Sequence, residues 1–262
     1  MAGTDYVDSA HRRAIITSVL LAANALLAII MTVSYFMQLQ LVNQFITGPR
    51  PTLADATAND ARVSLLANIN LILLIVTGIV FLFWIHRAYD SLSTIGAYGL
   101  NYSPGWAVGG FFVPILNFVR PYQVVREMWK ASDPAVPDGY LWTSSPVSPL
   151  VLIWWLLWIG AGLIGNYIRL TFNSKNATLD QFVSISGILL IGALITAIDA
   201  VLAMVIVLGL DARQQQKSRN PRTPVNLSPV VSADPSAIAA APVEKKAASR
   251  GSAETFFQRG LA

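Results

Sequence analysis

Asp199 is the residue whose type and place could do chemistry. It is the one acid between Phe182 and Leu210, a run that holds no other charge. A carboxylate inside so long an apolar run is costly, and by default it marks a functional position. Two kinds of role fit. Asp199 binds a cation or relays a proton, or it is a structural acid, neutral or paired with Arg120, Arg126 or His86. A lone acid weighs against a relay, which passes protons along a chain of polar groups. Arg120 stands at the exit of a short apolar segment, where an arginine anchors to lipid headgroups. Asn117, one helical turn earlier, can cap broken backbone there. Asn24 lies among Ala22, Ala23, Ala25 and Ala28, small residues that let a second helix approach while the amide bonds across the gap. Asn166 and Arg169 close another apolar run.

Enzyme motifs are missing from the sequence. Cysteine is absent, and His11 and His86 are too few and too far apart for a His-rich metal site. Gly109-Gly110 is not a phosphate loop, since no Lys-Ser or Lys-Thr follows. Neither HExxH nor GxSxG occurs. The expectation is a protein that is not an enzyme and holds no cofactor or metal.

The elements that position these residues follow from hydropathy. Of the 262 residues 54% are hydrophobic and 12% charged, where a soluble domain carries about 25% charged. Four runs are long enough to cross a bilayer as helices, at about 14–36, 63–85, 150–170 and 182–210. The first is too long for a cleavable signal peptide and reads as a helix that stays. Residues 1–13 form a polar N-terminus. Gln38 to Arg62, with Gly48, Pro49 and Pro51, reads as a long polar connection. The second helix continues through His86, Arg87, Tyr89 and Asp90 until Gly96 and Gly99 stop it. Asp133 to Pro149 is a connector. From Asp211 the chain turns polar and then rich in Ala, Pro and Ser, so 211–262 is expected to be a disordered tail. It holds eight Lys and Arg against four Asp and Glu, which is the whole net charge of +4. Its basic start suits anionic lipid better than nucleic acid.

The stretch 104–132, PGWAVGGFFVPILNFVRPYQVVREMWKAS, is the unusual part. Gly105 to Val119 is fifteen residues, about 22 Å as helix, against about 30 Å of hydrocarbon. It is therefore expected to be re-entrant or to lie in the interface. In its second half Val124, Val125, Met128 and Trp129 oppose Gln123, Arg126, Glu127 and Lys130, which reads as an interfacial helix with its apolar side toward lipid. If the segment enters and leaves on one side, Arg12, Arg13, Arg87, Arg120, Arg126, Lys130, Arg213, Lys217, Arg219 and Arg222 share that side. The other side holds Arg50, Arg62, Arg169 and Lys175. The first is then cytoplasmic, with both termini. All seven tryptophans fall toward it, as an interfacial belt would. Gly192, Thr196 and Ala200 form a small stripe expected to receive the short segment, bringing Arg120 to Asp199.

WAVGGFFVPILNFVRPYQVVREMWKAS, with HRAYDSL and NYSPG before it, resembles the core motif of a bacterial membrane-protein family described as domain of unknown function 4328. The resemblance covers about Val63 to Leu210. It implies a multi-span bacterial membrane protein and no reaction. The fold class is all-α and polytopic, in the plasma (inner) membrane. Two functions remain: a non-catalytic membrane interaction or scaffold protein, in contact with lipid, protein partners or further copies of itself, or a small transporter or channel with Asp199 on its path.

Overall fold

The computed structural model of the chain describes residues 2–171 and 178–219, with side chains from Val7 onward. The chain divides into two units, 1–223 and 224–262, and the second lies outside the described residues. All regular structure in the described residues is helical. Four helices are long and apolar enough to cross a membrane: α1 (Ala2–Thr47), α2 (Leu53–Thr94), α6 (Pro149–Thr171) and α7 (Leu179–Arg219). Between α2 and α6 lie α3 (Pro104–Gly109), α4 (Pro114–Asn117), α5 (Arg120–Ala131) and a 3-10 turn at Leu141–Ser144.

The long helices overrun the expected spans at both ends. Gln38 to Arg62 is not a loop. α1 runs on until Gly48 and Pro49, and α2 starts at once behind Thr52. The Thr52 hydroxyl accepts the Asp55 N–H at 3.2 Å, while the Asp55 carboxylate takes the Thr52 N–H at 2.9 Å. That reciprocal cap satisfies donors a helix start otherwise leaves open. Arg62 then ties the pair together, donating from Nε to Ser34 Oγ at 3.0 Å. The other end of α2 stops as expected. Gly96 and Gly99 have φ of 85° and 69°, a region costly for other residues, and the Ala97 N–H closes on Leu92 O at 3.0 Å.

α1 and α7 form an antiparallel central pair. His11 meets Asp211 near one end and Gln38 meets Ser186 near the other. Their shared faces are built of small residues, with Ala10, Ala14, Ala25 and Ala28 buried on α1 and Ala193, Ala197, Ala200 and Ala203 on α7. Such faces let helix backbones approach closely. α2 packs on α1, and α6 on α7. The small stripe of α7 therefore receives α1 and α6 rather than the 105–119 segment; Ile164 of α6 comes within 3.7 Å of where a Cβ on Gly192 would lie.

The segment from Gly96 to Ser148 folds into a cap at the bundle end that carries the start of α1 and the end of α7. The apolar side of α5 faces protein: Val124, Val125, Met128 and Ala131 are buried with Trp84, Ile85, Ala88, Leu92, Val207 and Leu210. The expected tail does not begin at Asp211 either, because α7 continues to Arg219 and buries Asp211, Gln214 and Lys217. These residues recur every three positions, which keeps them on one helical side. The rest of the expected tail, 220–262, lies outside the described residues. The tryptophans are not all a belt: Trp84, Trp142 and Trp154 are core residues, while Trp106 is 59% exposed.

Candidate functional site

Asp199 opens onto a cavity of about 160 Å³ in the bundle, between Asn24 and Thr77 on one side and Trp154 and Trp158 on the other. One carboxylate oxygen is buried and has no hydrogen-bond partner among the described residues. Its neighbours offer little. Asn24 Nδ2 donates to Thr77 Oγ1 at 2.7 Å and to Leu20 O at 2.8 Å, and Thr77 donates to Leu73 O at 2.7 Å. These bonds hold α1 to α2 and leave Asp199 aside.

The expected ion pair is not made. Among the described residues no cation pairs with Asp199. Arg120 instead lays its guanidinium over the Tyr102 ring, 4.4 Å from the centroid. Gly110 makes this possible, since a Cβ there would run into the Cβ and Cγ of Arg120. Arg126 is exposed on the outer side of α5, and His86 is exposed on α2. Asn117 is half-buried at the end of α4, its backbone N–H on Val113 O at 2.8 Å. Asn166 accepts from Arg169 at 3.0 Å at the far end of α6. The sequence candidates are thus dispersed.

What the structure does assemble is a polar centre in the cap, around a residue assigned by the sequence to the solvent side. Glu127 is 5% exposed. It accepts from Tyr89 Oη at 3.0 Å, from the Asn101 N–H at 2.7 Å and from Asn101 Nδ2 at 2.9 Å. A buried carboxylate is tolerated when its lone pairs are filled this way. Burial first, and the Glu127 charge second, push the Tyr89 phenol well above its ordinary pKa. The signal was in the spacing. Position 127 lies three residues after Val124 and four before Ala131, both on the buried face.

Polar joints also dock the end of α7. Gln214 Nε2 donates to Ala88 O at 2.9 Å, and Ser91 Oγ donates to Gln214 Oε1 at 3.1 Å. Lys217 Nζ donates to Ala131 O at 2.9 Å. Arg213 pairs with Asp133 at 3.5 Å and lies 4.9 Å over the Trp129 ring. Arg213 and Lys217, expected to reach lipid, are engaged within the protein. On the side of the cap next to the bundle Phe111 meets Phe81 with ring centroids 6.5 Å apart, and Trp155 Nε1 donates to Phe118 O at 3.1 Å. Phe112 and Ile115 are 72% and 82% exposed.

Among the described residues no cluster of His, Cys, Asp and Glu could hold a metal ion. Four long apolar helices with a helical cap at one end make this an integral membrane protein of the polytopic all-α class. The chain belongs to the family described as Domain of unknown function (DUF4328), whose model matches residues 48–212. Comparison with curated proteins and with solved structures gives no match.

Proposed function

We propose that this protein is a non-catalytic interaction or scaffold protein of the bacterial inner membrane, with both termini cytoplasmic. The segment from Gly105 to Val119 then dips into the cytoplasmic leaflet. The observation that carries the reading is the cap. Its buried polar joints fix it on the bundle while its outer edge stays apolar. Phe111 reaches Phe81, one helical turn inside Ile85, or about 5.4 Å. Phe112, Ile115 and Phe118 are then directed at acyl chains. Arg12, Arg13, Arg87, Arg120, Arg126, Lys130 and Arg219 share the cap end, against Arg50, Arg62 and Arg169 at the other, which favours a cytoplasmic cap. Anionic lipid suits those of them that face the surface. Gly162 and Gly165, exposed and about one turn apart on α6, leave open space where a Cβ would stand, so that side of α6 offers a close approach to a partner helix or a second copy.

The chain has no native cysteine, so single-cysteine labelling tests this topology. A cysteine at the exposed Ala135 should label from the cytoplasmic side, and a quencher on lipid chains should dim a fluorophore at position 115. Labelling at 135 from outside only would overturn it. Asp199, with its unpartnered oxygen, favours the second reading, a small transporter or channel. Purified protein in liposomes separates the two. Flux no higher than in empty liposomes supports the scaffold, whereas proton or cation flux that Asp199→Asn abolishes replaces it with transport.

A further inference from the structure

We infer that the cap carries a binding cleft for a phosphoryl group, presented by a lipid headgroup or by a soluble phosphate. The cleft encloses about 350 Å³ between the outer side of α5 and the loops at Asn101 and Thr143. Its charged members are Arg126, Glu127 and Lys130, two cations against one anion. Glu127 has both oxygens filled by Tyr89 and Asn101, so it offers little to a ligand and serves to fix the Asn101 loop.

The hydrogen-bonding capacity left over is mostly of one kind. Arg126 has no partner among the described residues, so its whole fork of N–H donors is unspent. Lys130 gives one donor to Thr143 O at 2.7 Å and keeps the others. Gln123 uses its oxygen to accept from Tyr102 Oη at 3.1 Å, which leaves its N–H group. Gln123, Arg126 and Lys130 follow one another at one-turn spacing along one face of α5. A cleft that presents two cations and an amide N–H calls for an acceptor-rich anion, and phosphoryl oxygens fit a guanidinium fork in two-point contact. Tyr102 and Trp142 wall the cleft on the loop side. The net positive charge of the three ionised groups matches a singly charged phosphodiester better than an inorganic dianion. The inference stands apart from the scaffold reading, because it rests only on the geometry of the cap.

The test titrates the purified full-length protein in detergent with inorganic phosphate and, separately, with short-chain phosphatidylglycerol. Ionic strength is held constant with chloride, and Tm is followed. A saturable rise in Tm is expected with phosphatidylglycerol at lower concentration than with phosphate. Saturation by phosphatidylglycerol alone assigns the site to lipid, and saturation by phosphate alone assigns it to a soluble ligand. Arg126→Gln and Lys130→Gln should each raise the half-saturating concentration about tenfold, the effect of losing one charge-assisted bond. Arg169→Gln, at the other end of the bundle, should leave it unchanged. No saturable rise with either probe, or a rise that both cleft variants keep unaltered, overturns the inference. Such a result would leave the labelling and flux outcomes as they stand.

Discussion

The Tyr89 hydroxyl donates to Glu127 across 3.0 Å and accepts the Tyr102 N–H at 3.1 Å, so one buried group joins α2, α5 and the loop between them. Glu127 is in turn the acceptor for both N–H groups of Asn101. The cap is therefore held by a connected set of bonds in a low-dielectric setting. Removing one member strands the others.

Tyr89→Phe and Glu127→Gln should each destabilise the protein in detergent by about 1–3 kcal/mol, the cost of leaving a buried partner unsatisfied. The double variant should lose less than the sum, because the same bond is broken in both. Melting curves of the four proteins in one detergent decide it. Additive losses would mean that the bond carries no coupling.

Asp199→Asn should leave Tm unchanged or raise it. The carboxylate has a buried oxygen without a partner, and an amide there avoids the cost of burying a charge. Combined with Arg120→Gln, the effects should add within about 0.5 kcal/mol, since the two residues share no partner. A fall in Tm on Asp199→Asn would disclose a stabilising contact.

Gly110→Ala should destabilise by about 1–3 kcal/mol through overpacking against the stem of Arg120. The stem cannot retreat without lifting the guanidinium from Tyr102, a contact worth about 0.5–1 kcal/mol. Arg120→Ala in the Gly110→Ala background should recover most of the loss. Failure of that rescue would place the strain elsewhere in the turn.

Burial lowers the pKa of Lys217 from its ordinary 10.5, with Asp138 and Asp133 opposing the shift. Between the lowered folded value and 10.5 the unfolded chain binds more protons than the folded one. Stability contributed by this group therefore rises with pH across that window. Tyr89 acts oppositely. Its phenol is held protonated in the fold, so stability falls once the pH passes its ordinary value of 10.0. Melting temperature followed upward through the alkaline range should rise and then fall. Lys217→Met should flatten the rise and Tyr89→Phe should soften the fall.

Four helices were legible because a charge-free run of sufficient length is all the bilayer demands. Gly96 and Gly99 announced the end of α2 for an equally local reason. Helix built from polar residues is concealed by its composition. Residues 38–47 and 53–62 contain neither Gly nor Pro, and Thr52 with Asp55 writes a helix start that the polar composition concealed. At 211–219 polar composition likewise conceals a helical face of Asp211, Gln214 and Lys217. The charge of Glu127 points to solvent, although its spacing places it with Val124 and Ala131. The partner of Arg120 is of another kind. Whether its guanidinium meets Asp199 or Tyr102 depends on how residues far apart in the chain are brought together, and no local pattern contains that.

The pairing of α1 with α7 also sets an order of assembly. His11 and Asp211 meet across 200 positions, and α1 precedes all the residues that the family model matches. During synthesis α1 is complete long before its main partner exists. Its alanine face waits in the lipid with only α2 beside it. The same late helix brings Gln214 to Ala88 and Lys217 to Ala131, so the cap is secured at the moment the bundle closes. A chain that stops before Leu179 has an unfinished seam along α1 and a cap without its Gln214 and Lys217 joints.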